Sequence, residues 1–310
     1  MLAILSPGQG SQTPGMLQPW LTDASKKLLD SWSLHIDLDL ARLGTTASAE
    51  EIKDTANAQP LIVAAGLLGF EALSSSDQLN FYLAAGHSVG EITASAISEV
   101  LDATTALELV RQRGISMAKA ASQAETGMSA VLGGDRDDVL KTIERYELVA
   151  ANDNGAGQIV AAGSLQNLEK FATTPPAGAR IRPLAVAGAF HTHYMSSAVD
   201  DVSSLATKLS IHDAKVKLLS NKDGDLVIDG KDAINRIVNQ IANPVRWDLC
   251  MNAMAELGIT GVIELPPAGT LVGLLKRAVP NIETFALKSP DEIPAAREFV
   301  EKHSGKHGGA

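Results

Sequence analysis

The sequence predicts an α/β protein in which a large domain carries a smaller inserted one. Two observations lead to this class. Short apolar runs of strand length alternate with longer segments whose apolar residues recur at helical spacing, as in proteins with a mostly parallel central sheet. The middle of the chain departs from this alternation and has a β-α-β-β-α-β order, which indicates a separate small domain.

The composition is that of a globular protein and excludes several classes. The chain has 310 residues, 45% of them apolar and 20% charged, which suits one large domain with an insertion. A formal net charge of −10 argues against general nucleic-acid binding, which requires a basic surface. The single cysteine, Cys250, allows no intrachain disulfide and favours a reducing cytoplasm.

The sequence predicts neither a signal peptide nor a membrane span. The first residues lack a basic region and indicate a buried strand instead. No apolar stretch approaches the length of about 20 residues that spans a bilayer. We therefore expect a cytoplasmic protein without a membrane partner.

The first part of the large domain is expected over residues 1–125. Glycine or proline follows each predicted strand, as strand-ending turns require. In order, the predicted elements are a strand at 2–5, helical character at 49–56, a buried helix at 60–73, a strand at 81–85, a helix from Glu91 and a helix at 104–121.

The small domain is expected over residues 126–190. Its elements are strands at 128–132, 148–151, 158–162 and 180–187, with helices at 135–146 and 165–172. Their order is the ferredoxin-like pattern. The second part of the large domain follows at 191–300, with strands at 216–219 and 262–265 and helices at 234–241 and 270–277. The polar, glycine-rich tail at 301–310 is expected to be disordered.

Ser88 lies in Gly86-His87-Ser88-Val89-Gly90, which fits the G-x-S-x-G pattern of a nucleophile elbow. In such a turn the serine hydroxyl projects between a strand and a helix, and the helix N-terminus favours developing negative charge. The alternative interpretation is a strand-helix turn with an idle serine. The apolar run before the motif and the helix after it favour the functional interpretation.

A serine nucleophile needs a base, and His191 is the best placed of the seven histidines. It follows the last strand of the small domain, where it can overhang a cleft, although a solvated turn also fits. His191 and His193 lack a nearby carboxylate or cysteine, so we expect no metal site. No acid between Ser88 and His191 is a convincing partner for the histidine, which argues against a standard hydrolase triad.

Two further features have both a functional and a purely structural interpretation. The loop at Gly8-Gln9-Gly10 could offer backbone N–H groups to an oxyanion hole, or it could be a plain strand-ending turn. Arg113 could hold a carboxylate in a bidentate grip, or it could be a solvated helix arginine.

Taken together, these segments resemble the malonyl-CoA:acyl carrier protein transacylases, especially the actinobacterial members. The resemblance runs in family order from the first strand to the last helix and covers nearly the whole chain. The matching stretches are SPGQGSQTPGM, AGHSVGEITASA, VRQRGISMA, TGMSAVLGG, GQIVAAG, VAGAFHTHYM, LLSNKDG, NPVRWDLC and ELPPAGTLVGLLKR.

The resemblance implies an α/β-hydrolase-like large domain with a central, mostly parallel sheet and an inserted ferredoxin-like small domain. It also implies a ping-pong transfer in which Ser88 is the nucleophile and His191 its base. The family supports this histidine through a backbone carbonyl, at the position of Asn221. The oxyanion hole would consist of the N–H groups of Gln9 and Val89.

The resemblance also implies the substrate contacts. Arg113 would pair with the free carboxylate of the malonyl group, and Gln240 would line the active site. Phe190 stands where related polyketide acyltransferases that take malonyl have phenylalanine and those that take methylmalonyl have a smaller residue. Since one methyl group is worth roughly 1–3 kcal/mol of discrimination, we expect a preference and not an exclusion.

The expected partners are malonyl-CoA and holo acyl carrier protein, in fatty acid synthesis, with no cofactor and a monomeric enzyme. Basic residues near the cleft, namely Arg182, Lys276 and Arg277, are candidates for docking the acidic carrier. The alternatives are a serine hydrolase, a transferase for another acyl group and a non-catalytic docking module. Arg113 and the missing triad acid favour the transacylase over a hydrolase, and survival of the whole residue set argues against a docking module.

Overall fold

The computed structural model describes residues 1–74 and 79–304. Within these residues the strands are β1 Leu2–Ser6, β2 Leu83–Gly86, β3 Thr126–Gly133, β4 Val149–Asp153, β5 Gln158–Ser164, β6 Ala179–Pro183, β7 Lys217–Leu219, β8 Leu226–Val227, β9 Val245–Arg246, β10 Gly261–Glu264 and β11 Glu283–Ala286. The helices are α1 Asp23–Ile36, α2 Leu40–Thr45, α3 Thr55–Ser74, α4 Gly90–Ile97, α5 Ala103–Ala121, α6 Arg136–Arg145, α7 Leu165–Thr173, α8 Ser196–Ala206, α9 Gly230–Gln240, α10 Trp247–Glu256, α11 Thr270–Ala278 and α12 Ile293–His303.

The larger sheet has the strand order β11-β10-β1-β2-β7-β8. All its neighbouring strands are parallel except β7 and β8. The central strands β1, β2 and β10 are buried along their whole length, because helices cover both faces of a parallel sheet. The carboxyl ends of β1 and β2 lie side by side, with Ser6 in register with Gly86.

The smaller sheet has the order β6-β3-β5-β4-β9. Its first four strands are antiparallel and come from the segment predicted at 126–190. Helices α6 and α7 pack on it through Val139, Ile143, Leu168 and Phe171. The fifth strand, β9, is parallel to β4 and comes from outside that segment. The chain is therefore an α/β protein with mixed sheets, and its smaller sheet is completed by a strand from a later part of the chain.

Helix α3 is a long and largely buried helix of the core. Among the described residues it is long and apolar enough to span a bilayer, by length and composition alone. This corrects the expectation that no apolar stretch approaches that length. In the structure, 72% of its apolar stretch is buried inside the protein, against α4 and α5.

Two predicted segments differ from the structure. Residues 49–56 do not form one helix, because the Asp54 side chain accepts the N–H of Ala56 and starts α3 separately after a short 3-10 turn. The C-terminal helix continues to His303, beyond the start of the predicted tail at residue 301. Ala296, Val300 and His303 share its buried face. The rest of that tail, residues 305–310, lies outside the described residues.

Candidate active site

Ser88 lies in a tight turn between β2 and α4, and it has φ = 53°, in the left-handed region. The flanking glycines make this turn possible. A Cβ added at Gly86 would lie 2.0 Å from the carbonyl carbon of Gly90, and one added at Gly90 would lie 2.2 Å from the oxygen of Ser6. The turn therefore has the geometry that the G-x-S-x-G pattern predicts, with the hydroxyl above the carboxyl end of the sheet.

His191 joins this hydroxyl to a backbone carbonyl. Its Nε2 lies 2.7 Å from Ser88 Oγ, and its Nδ1 lies 2.7 Å from the carbonyl oxygen of Gln240. Because a carbonyl oxygen only accepts, Nδ1 carries the hydrogen and Nε2 is left as an acceptor for the serine hydroxyl. The pair can therefore pass a proton from Ser88 to His191.

The prediction that the Asn221 carbonyl supports the histidine is wrong. The oxygen of Asn221 accepts the N–H of Arg246 at 2.7 Å. The Asn221 side chain instead holds the elbow, since its Oδ1 accepts the N–H of Ser88 at 2.7 Å. The supporting carbonyl belongs to Gln240, the last residue of α9, where helix carbonyls lack intrahelical donors.

His191 is buried, and this burial lowers its pKa to about 3. The neighbouring Arg113 guanidinium lowers the pKa further, whereas the hydrogen bond to Gln240 raises it. The imidazole is therefore neutral at physiological pH, in the form that can accept a proton.

Arg113 lies on α5 and is buried within hydrogen-bond reach of the serine. Its Nη2 donates to Gln240 Oε1 at 2.9 Å and lies 3.4 Å from Ser88 Oγ, and its Nη1 donates to Gln59 Oε1 at 2.8 Å. These acceptors are all neutral, and the buried Nε has no partner among the described residues. Burial lowers the pKa of Arg113 to about 10, so the group remains a cation.

The loop after β1 packs against the elbow. A Cβ at Gly8 would lie 2.8 Å from the carbonyl oxygen of His87, so only glycine permits this approach. The next residue, Gln9, contacts Thr55 and Gln59 through its side chain. Within the described chain, the backbone N–H groups of Gln9 and Val89 donate no hydrogen bond. They can therefore serve an incoming oxyanion.

A cleft between the two sheets leads to Ser88 and His191. Phe190, 5% exposed, lines it beside the histidine. The smaller sheet contributes Met128, Ala130, Asn152 and Val160, and the larger unit contributes Met117, Leu271 and Leu274. The serine is therefore reached through a cleft with both apolar and polar walls, and the buried Arg113 lies next to the serine without lining the cleft. His193 is exposed beside Tyr194, and the described residues contain no group of three or more His, Cys, Asp or Glu suited to a metal.

Sequence reasoning missed two polar residues of the site. Gln59 supports Arg113, and Glu91 accepts hydrogen bonds from Gln240 and Asn221. Both residues carry an amide or carboxyl group inside a buried helix, α3 and α4. Such a group in a helix of mostly apolar and small residues was the available signal, since burying it requires a specific partner.

Comparison with known proteins gives the class of this site. Residues 5–297 match the acyl transferase domain family. The malonyl CoA-acyl carrier protein transacylase of Mycobacterium tuberculosis is 51% identical over 296 residues, which cover 94% of this chain and 98% of that protein. The enzyme of the same name from Escherichia coli K12 is 31% identical over 307 residues, 96% of this chain and 99% of that protein.

Solved structures agree with these relatives. The crystal structure of MCAT from Mycobacterium tuberculosis superposes with a TM-score of 0.91 at 50% identity, covering 95% of this chain and 99% of that one. A malonyl-transacylase solved in complex with a type II PKS acyl-carrier protein also gives 0.91, at 27% identity over 96% of this chain and 99% of that one. The protein is therefore an acyltransferase. It belongs to the malonyl CoA-acyl carrier protein transacylases of the acyl transferase family.

Proposed function

We propose that this chain transfers malonyl from coenzyme A to the phosphopantetheine thiol of holo acyl carrier protein, through a malonyl ester on Ser88. The product supplies the extender unit of fatty acid synthesis. The observation that carries the proposal is the buried Arg113 guanidinium, 3.4 Å from Ser88 Oγ and hydrogen-bonded only to neutral oxygens. A buried guanidinium that is hydrogen-bonded to no carboxylate is costly, and the free carboxylate of a malonyl group would provide that partner.

In the first half-reaction Ser88 Oγ attacks the thioester carbonyl while His191 Nε2 takes its proton. The C–S bond then breaks, and the imidazolium protonates the departing coenzyme A thiolate. In the second half-reaction the carrier thiol gives its proton to His191 and attacks the ester. The bond between the acyl carbon and Ser88 Oγ then breaks, and the imidazolium returns the proton to Oγ. The Gln240 carbonyl keeps Nδ1 protonated in both halves.

Two backbone N–H groups are proposed to stabilise the oxyanion of each tetrahedral intermediate. Gln9 would supply one from the loop after β1, and Val89 would supply the other from the start of α4. Each such donor contributes about 3 kcal/mol to transition-state stabilisation in serine enzymes.

Phe190 is proposed to set the preference for malonyl over methylmalonyl. Its ring lines the cleft next to His191, where an α-methyl group of the acyl chain would need space. The discrimination expected from one methyl group is roughly 1–3 kcal/mol.

We also propose that the chain acts as a monomer in the cytoplasm, without a cofactor, a membrane or a nucleic acid. The two sheets would correspond to an α/β-hydrolase-like large domain and a ferredoxin-like small domain at 126–190. The strand order β6-β3-β5-β4 supports the latter.

The test is the intact mass of the protein after brief mixing with malonyl-CoA, followed by holo carrier protein. The wild type should gain a malonyl adduct and pass it to the carrier. The control Ser203→Ala removes an exposed hydroxyl on α8 and should behave in the same way. Ser88→Ala should gain none. An adduct on Ser88→Ala, or one lost to water equally fast without the carrier, would contradict the proposal.

A further inference from the structure

Glu91 is a buried carboxyl group that the mechanism above does not use. It lies in the first turn of α4, three residues after Ser88, and is 6% exposed. Its Oε1 accepts the backbone N–H of Asn221 at 2.7 Å, and its Oε2 accepts Nε2 of Gln240. Both oxygens therefore face N–H donors from elements that surround the serine.

The neighbouring amide of Asn221 has a defined orientation, because two backbone groups of the elbow specify it. Its Oδ1 accepts the N–H of Ser88 at 2.7 Å, and its Nδ2 donates to the carbonyl of Gly86 at 2.8 Å. A backbone N–H only donates and a carbonyl only accepts, so this amide cannot be reversed without losing both bonds.

The Gln240 amide is oriented in turn by Asn221 and Glu91. Its Nε2 donates to Asn221 Oδ1 at 3.1 Å and also to the Glu91 carboxylate. With two acceptors on the nitrogen side, Gln240 Oε1 must face the other way, toward Arg113 Nη2 at 2.9 Å. The orientation of Gln240 thus determines whether Arg113 meets an acceptor or a competing donor.

We propose that Glu91 is a positioning residue that acts through Gln240 to hold the Arg113 guanidinium where a substrate carboxylate reaches it. The inference rests on the proposed malonyl transfer. It assigns Glu91 to the selection of carboxylated acyl groups and not to the proton transfer. The latter depends on the backbone carbonyl of Gln240, whose position does not require the side-chain amide.

A carboxylate suits this position because it accepts on both oxygens. A glutamine at position 91 has one acceptor and one donor. If its oxygen takes the Asn221 N–H, its NH₂ group faces the NH₂ group of Gln240. Turning the Gln240 amide over relieves this contact but places an NH₂ group against the Arg113 cation.

The pKa of Glu91 decides at which pH the variants should be compared. Burial raises the pKa of Glu91 to about 8, while the Asn221 N–H and the Arg113 charge oppose this shift. Bonds from two N–H donors are those of the ionised form. Assays at about pH 9, above this pKa, compare the variants with an ionised wild-type carboxylate.

The experiment measures the rate of acyl-enzyme formation by intact mass, with malonyl-CoA and separately with acetyl-CoA. Glu91→Gln should slow malonyl transfer about 10- to 100-fold, the size of one lost hydrogen bond to a charged group, and change acetyl transfer by less than about 3-fold. Glu91→Asp keeps a carboxylate and should recover part of the malonyl preference. The control Glu71→Gln removes an exposed carboxylate on α3 and should match the wild type.

Two results would overturn the inference. One is an unchanged malonyl-to-acetyl ratio in folded Glu91→Gln or, if that variant does not fold, in Gln240→Ala, which removes the amide through which Glu91 acts. The other is an equal loss for both substrates, which indicates a purely structural role. In an Arg113→Ala background, Glu91→Gln should leave the ratio unaltered, because the residue through which it acts is gone. A wild type without malonyl preference would instead contradict the proposed function itself.

Discussion

Arg113 is the residue on which we propose that substrate selection depends. It is a buried cation whose hydrogen-bond acceptors are Gln59, Gln240 and the Ser88 hydroxyl. Since a hydrolase has no general need for a guanidinium beside the acyl group, Arg113 favours a malonyl transferase over other serine enzymes. Gln59 and Gln240 hold the guanidinium in place through neutral oxygens, so neither of them neutralises its charge.

We expect Arg113→Ala to slow Ser88 acylation by malonyl-CoA about 100-fold, because a charge-assisted pair with the carboxylate is lost. Acylation by acetyl-CoA should change much less. The control is Arg111→Ala, two residues earlier on α5, which removes a half-buried guanidinium bonded to the carbonyl of Ala56. The ratio of the two acylation rates is the measurement, and an unaltered ratio in Arg113→Ala would refute the role.

At the scale of elements, the elbow between β2 and α4 depends on close backbone approach. Gly86 and Gly90 contact each other, and Gly90 contacts the end of β1. Any side chain at either position meets backbone atoms, which cannot move aside as a flexible side chain can. The relative positions of β2, the turn and α4 therefore depend on both glycines.

Gly86→Ala should lower the free energy of unfolding by about 3 kcal/mol or more and abolish the acyl-enzyme, because its Cβ would lie 2.0 Å from a backbone carbon. Gly273→Ala on α11 is the matched control. A Cβ there meets nothing within 4 Å, so better helix propensity should stabilise the protein by up to about 1 kcal/mol. Urea unfolding measures the free energy of unfolding, and intact mass measures the acyl-enzyme. A Gly86→Ala protein that is as stable as the wild type and is acylated would contradict the prediction.

At the scale of the whole molecule, the site exists only because several elements meet at the cleft. β2 and α4 present Ser88, α5 presents Arg113 and the C-terminus of α9 presents the Gln240 carbonyl. His191 follows the smaller sheet and completes the set. Closing these elements over the imidazole removes it from water, so folding and the protonation of His191 are linked.

This linkage predicts the acid stability of the protein. The unfolded imidazole binds a proton below its ordinary pKa of 6.5, whereas folded His191 does so only near 3. Its contribution to the free energy of unfolding is therefore complete above 6.5 and is lost as the pH falls from 6.5 toward 3. In that window the wild type should lose up to about 1.4 kcal/mol per pH unit more than His191→Gln does.

Urea unfolding of both proteins across this pH window provides the measurement. The control His193→Gln removes the neighbouring exposed imidazole. If the free energy of unfolding falls with pH equally in the wild type and in His191→Gln, burial does not suppress protonation of this histidine.

The sequence by itself determined the class of the fold, the elbow and the residue types of the candidate site. These follow from local physics. Apolar runs of strand and helix length determine the elements, and the glycines around Ser88 determine the turn. The residue types at 88, 113 and 191 determine which groups can act as nucleophile, cation and base. The missing acid behind His191 was also visible in the sequence, because an acid needs a particular side chain.

The tertiary structure alone decided how these groups are held. Every residue has a carbonyl, so no side chain marked Gln240 rather than Asn221 as the support of His191. The two-residue pairing of β9 with β4 is too short to leave a pattern. The bond from Gln240 to Glu91 joins residues 149 positions apart. Such contacts depend on where the elements pack, and packing is a property of the whole chain rather than of any segment of it.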